Sequence, residues 1–112
     1  MRLERVQNLI QQQIALLISQ RKVADGRIGF VTITRVKVNA DLSLAKVYYS
    51  YFGPLKDRKK TQVGLQNAAG FIRSKLYAVL HIKQVPVLRF TPDDSLAKGF
   101  DILQEMKKTQ NE

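Results

Sequence analysis

The stretch "QNAAGFIRSKL", residues 66–76, decides how this chain folds. Leu65, Ala68, Ile72, Leu76 and Val79 recur at steps of three, four, four and three, the spacing of one helical face. Gly70 sits inside that pattern, where Gly costs about 1 kcal/mol against Ala. Lacking a Cβ, it lets two helical segments meet at an angle and still bury one face. The expectation is that Gly70 divides the pattern into two helices and aims Arg73 and Lys75 outward.

Working back toward the N-terminus, "LAKVYYSYF", 44–52, alternates as a strand: Ala45, Val47, Tyr49 and Tyr51 on one face, Lys46, Tyr48, Ser50 and Phe52 on the other. "FVTITRVKV", 30–38, is β-branched and reads as its partner, joined through the polar turn "NADLS" as an antiparallel hairpin. Strict alternation puts Phe30, Thr32, Thr34, Val36 and Val38 on one face and Arg35 and Lys37 beside Val31 and Ile33 on the other. Residues 3–20 carry Leu3, Val6, Ile10, Ile14 and Leu17 at helical steps, and "ADGRIG", 24–29, stops that helix. Toward the C-terminus, "VPVLRF", 85–90, reads as a third strand with Pro86 near its start, where Pro is tolerated. Residues 94–108 suggest a last helix. The order is α-β-β-α-kink-α-β-α, an α+β class with a three-stranded sheet and helices packed on one face. We find no repeat or linker, so residues 1–112 read as a single domain.

The charge is unevenly spread. Residues 30–89 hold eleven basic groups against only Asp41 and Asp57, giving +9 of the total formal charge of +10. Such a basic body attracts a polyanion, nucleic acid or an anionic membrane surface. The longest apolar run near the start, "IALLI", 14–18, is too short for a membrane span, and the chain reads as cytoplasmic. There is no Cys, which excludes thiol chemistry and Cys-based zinc sites. His81 is the only His, no metal-ligand spacing is evident, and Asp93–Asp94 fits a helix cap. The glycines match neither nucleotide-binding loop. With acid and base candidates this scarce, no enzyme is expected, and neither a cofactor nor a small-molecule substrate. The positive signal is cationic: Arg35 and Lys46 on the hairpin, Arg73 and Lys75 after Gly70, and Lys59 and Lys60 in the run "KDRKK", 56–60. Such groups give salt-sensitive, sequence-independent phosphate contacts. Charge by itself does not choose RNA over DNA.

Four stretches, in order, resemble one family. "DGRIG", 25–29, "VKVNADLSLAKVY", 36–48, "NAAGFIRSKL", 67–76, and "VPVLRFTPDDSLAKG", 85–99, are similar to ribosome-binding factor A, a small-subunit assembly factor. The resemblance spans nearly the whole chain, from Arg5 to about Ile102. It implies a type II KH-like fold. Typical KH domains clamp nucleic-acid backbone with a Gly-x-x-Gly loop; this family has an Ala-x-Gly kink there, matched by Ala68, Ala69 and Gly70. It also implies binding to the free small ribosomal subunit and help in late maturation of its RNA, by a monomer, with basic residues near the kink and sheet in contact. Departures are Gly26, where Pro is common, "HIK" at 81–83, where Arg-rich segments are usual, and a short C-terminal extension. The alternative is a generic KH-like single-stranded nucleic-acid binder without a ribosome role; a small RNA-processing enzyme is the weakest reading.

Overall fold

The computed structural model describes residues 2–20 and 28–93. Its elements are helix α1 (Arg2–Ser19), strands β1 (Phe30–Val38) and β2 (Leu44–Phe52), a 3-10 turn (Leu55–Asp57), helix α2 (Arg58–Leu80) and strand β3 (Val87–Pro92). The helix expected over 94–108 and most of the 24–29 loop lie outside the described residues. The sheet order is β1-β2-β3, with β1 and β2 antiparallel and β2 and β3 parallel. This is the expected α+β architecture. A parallel pair needs a long crossover, and α2 supplies it.

The core forms where the helices meet one face of the sheet. Ile10 and Ile14 of α1, Leu65, Ile72 and Leu76 of α2, and Ala45, Val47, Tyr49, Leu88 and Phe90 of the sheet are all buried. Leu3, Val6 and Leu17 pack partly buried around them, as the helical spacing of α1 requires. Val85 and Pro86 are buried just before β3, so Pro86 removes no ladder donor.

Two expectations need correction. First, residues 58–80 form a single α-helix, so the segments expected on either side of Gly70 are one element. Leu65, Ala68, Ala69, Ile72 and Leu76 bury one continuous face across both halves. That burial outweighs the propensity penalty of about 1 kcal/mol at one Gly. The helix ends instead at His81, which is left-handed (φ 53°).

Second, the faces of β1 do not follow strict alternation. The pairing register jumps between Ile33, opposite Tyr49, and Arg35, opposite Tyr48, so Thr34 is an extra residue in the strand. A bulge of one residue exchanges the faces on its two sides. Ile33, Val36 and Val38 are therefore all buried in the core, with Val31 packed against it. Phe30, expected to share a face with Val36, is instead 77% exposed on the other side.

The helices also close both outer edges of the sheet. From α1, Gln7 Oε1 accepts from the Val38 amide (2.9 Å), and Gln11 Nε2 donates to the carbonyl of Thr34 (3.3 Å). From α2, Gln62 Nε2 donates to the Phe90 carbonyl (2.9 Å). Gln66 accepts from the Phe90 amide (3.0 Å) and donates to the Leu88 carbonyl (3.2 Å). An edge strand presents unpaired backbone groups that invite pairing with another chain. Here paired glutamines, each pair four residues apart on its helix, occupy five of those groups, two on β1 and three on β3.

Candidate nucleic-acid interface

The helices cover one face of the sheet, and the other face carries the charge. Register places Lys37 opposite Lys46 and Lys46 opposite Arg89, so three exposed cations lie abreast across all three strands. Adjacent strands are about 5 Å apart, a distance at which like charges repel. One step along, Arg35 lies opposite Tyr48, its guanidinium 4.1 Å from the ring centroid. That is a close cation–π contact, and it holds the guanidinium over the Tyr48 ring. At the far end Phe30 is opposite Phe52, which is 58% exposed. Between them sits Ser50, whose buried Oγ has no hydrogen-bond partner. None of the three strands contains an acidic residue. Asp93, just after β3, accepts a hydrogen bond from Thr34 Oγ1 (2.6 Å).

The hairpin turn that aligns these residues is itself well specified. Asn39 closes it with backbone and side-chain bonds to Leu44 and Leu42. Asp41 Oδ1 accepts from Ser43 Oγ (2.7 Å) and from the Ser43 amide (3.1 Å). Those two bonds, the hydroxyl first, hold the Asp41 carboxyl below its ordinary range. Leu42 adopts a left-handed backbone (φ 63°), with its side chain packed against the core. At the other end of the hairpin, Tyr51 donates to the Pro54 carbonyl (2.9 Å). Its ring folds over Gly53 so closely that a Cβ there would lie 2.6 Å from the phenol oxygen. Gly53 is needed for that fold-back.

The six basic residues singled out from the sequence fall into three places. Arg35 and Lys46 join on the open sheet face. Lys59 and Lys60 are exposed in the first turn of α2. Arg73 and Lys75 lie farther along α2, and Arg73 turns inward. Its Nε and Nη2 both donate to the Val85 carbonyl, at 3.0 and 2.8 Å, and its guanidinium lies 5.5 Å from the Tyr77 ring centroid. Lys75 stays exposed, its ammonium 5.3 Å from the Phe71 centroid. Ala68 and Ala69 are buried, whereas Gly70 is exposed with open space around it. Lys37, Arg89, Tyr48, Phe30 and Phe52 complete the open face; alternation grouped Tyr48 and Phe52 with Lys46 and Lys37 with Arg35, but it set Phe30 on the opposite face from Arg35 and Lys37. The signal available was the absence of acid from all three strands. Among the described residues, no cluster of His, Cys, Asp or Glu could hold a metal ion, and no helix is long and apolar enough to cross a membrane.

A β-hairpin joined through one long helix to a parallel third strand, with helices on one face of the sheet and cations on the other, defines a KH-like α+β class of module. A family model for ribosome-binding factor A matches residues 2–106, and the chain belongs to that family. A ribosome-binding factor A from Dictyoglomus thermophilum is 44% identical over 108 residues, covering 96% of this chain and 89% of the relative. The crystal structure of the Thermus thermophilus factor superposes with a TM-score of 0.69 at 20% identity, over 80% of this chain and 94% of that one. A second set of coordinates for the Thermus thermophilus factor, fitted into a cryo-electron-microscopy map of a 30S complex, gives a TM-score of 0.65 at 20% identity. It covers 79% of this chain and 91% of that one.

Proposed function

We propose that this protein binds the free small ribosomal subunit and assists late maturation of its ribosomal RNA without catalysing a reaction. Family membership supports the partner, as does the 30S complex into which the Thermus thermophilus factor was fitted. The observation that carries the mode of binding is the row Lys37–Lys46–Arg89. Three cations abreast repel one another in the free protein, and RNA phosphates relieve that repulsion while releasing counterions. Arg35 and Lys46 are the central contacts from the sequence-derived set. Lys59, Lys60 and Lys75 add peripheral charge from α2. Arg73 is chiefly a clamp between α2 and the segment before β3. Backbone contacts of this kind fix position and orientation, and they give the factor a way to hold immature RNA in place.

The test is a pull-down from a cell extract, resolved into free subunits, assembled ribosomes and free RNA. The protein is expected with free small subunits and depleted from assembled ribosomes. Equal recovery with naked RNA would favour the generic nucleic-acid binder, and cleavage of precursor RNA by the pure protein would restore the enzyme reading.

A further inference from the structure

We propose that the open sheet face receives unpaired RNA, with bases stacked at its aromatic end and phosphates on its cationic end. The inference rests on the binding reading above and adds the form of RNA recognised.

Three observations carry it. Phe30 and Phe52 are register partners, 77% and 58% exposed, on a face without acidic strand residues. A large exposed aromatic pair on a strongly cationic face matches a single strand, which presents base planes as well as phosphates. Next, exposed Arg35 lies over the Tyr48 ring between the two ends of the face, and Arg guanidinium groups as well as aromatic rings accept stacked bases. Finally, the two chemistries are separated along the strands. From Lys46 to Phe52 is six residues, about 20 Å of strand, and the three strands span about 10 Å. That is the scale of a sheet that stacks two or three bases. A duplex hides its base planes and would use only the cationic end. A protein partner with an apolar surface would meet the Phe pair but would leave four cations uncompensated unless it were strongly acidic.

The test uses the full chain with a hexauridylate RNA, an abasic strand of the same length and a short RNA duplex, titrated by fluorescence anisotropy. The hexauridylate is expected to bind at least about fivefold more tightly than the abasic strand. Phe30→Ala with Phe52→Ala should remove that difference while keeping the salt slope, and Phe30→Tyr with Phe52→Tyr should restore it. Lys46→Ala should instead lower the salt slope for all three ligands. Equal binding of base-bearing and abasic strands by the native protein would overturn the proposal. So would a Phe double variant that loses small-subunit binding but keeps its preference for hexauridylate, because the pair would then meet a ribosomal protein. Thermal unfolding checks that the variants fold, and the Tyr variants keep the proposal testable if the Ala variants do not. Subunit pull-down of the native protein is read separately. Its failure would refute the ribosome reading, whereas failure of the base preference alone would refute only this one.

Discussion

Gly70 shows how far one residue can be read from sequence. Its place on the helical pattern was legible, and so was its cost. The division of the helix was not, because the outcome depended on burial on the opposite side of α2. The residue is exposed, it is not in the left-handed region, and a Cβ built on it meets nothing within 4 Å. Gly70→Ala should therefore raise stability by about 1 kcal/mol, read as a higher midpoint in urea unfolding. If Gly70→Ala also weakens subunit binding, a partner approaches the helix backbone there. Arg73 makes the opposite lesson. Its position suggested an outward charge, but the carbonyl it serves lies 12 residues away and no local pattern reveals it. Arg73→Ala should cost about 2 kcal/mol, since two donors of a charged group are lost at a half-buried carbonyl. Unchanged stability with weakened RNA binding would return Arg73 to the contact surface. Asp41 offers a pH-dependent check. Its folded pKa is depressed by Ser43, so its contribution is present above the unfolded carboxylate value and is lost as pH falls through the folded one. In an NMR titration, Ser43→Ala should raise the Asp41 pKa toward its ordinary value.

At the scale of elements, the strands were legible from alternation and β-branching, and α1 from its apolar spacing. The bulge was not. Strict alternation in "FVTITRVKV" mixes Arg35 and Lys37 with Val31 and Ile33, which is a sign of an extra residue, but only the pairing against β2 places that residue at Thr34. The bulge matters for the site, because it lets Val31 and Ile33 join the core while Arg35 and Lys37 remain outside. Deleting Thr34 should remove the bulge and leave a regular strand, because the shortened FVTIRVKV alternates with Val31, Ile33, Val36 and Val38 all on the core face. A cooperative thermal transition, followed by circular dichroism, is expected to survive; its loss would contradict the reading of Thr34 as the extra residue. The glutamines were equally silent, since Gln is an ordinary helix-surface residue. Gln62→Ala with Gln66→Ala would strip the outer edge of β3 of its partners. The double variant should lose about 2 kcal/mol and scatter more light on warming, as an uncovered edge pairs with other chains.

The whole molecule has two sides of different character. Helices and their apolar faces fill one side of the sheet, while cations and exposed aromatics occupy the other. Net charge foretold a polyanionic partner but not the side on which it docks. The side proposed for docking rests on the register, which gathers Lys37, Lys46 and Arg89 from three strands. The most direct measurement is co-sedimentation with free small subunits across a salt series. It compares the native protein with the triple variant Lys37→Glu, Lys46→Glu, Arg89→Glu and with Lys59→Glu, Lys60→Glu, Lys75→Glu. The sheet variant should bind far more weakly, with a log–log salt slope shallower by about 2 to 3, and the helix variant should change less. A sheet variant that sediments like the native protein at every salt concentration, while the helix variant does not, would contradict the placement of the interface on the open sheet face.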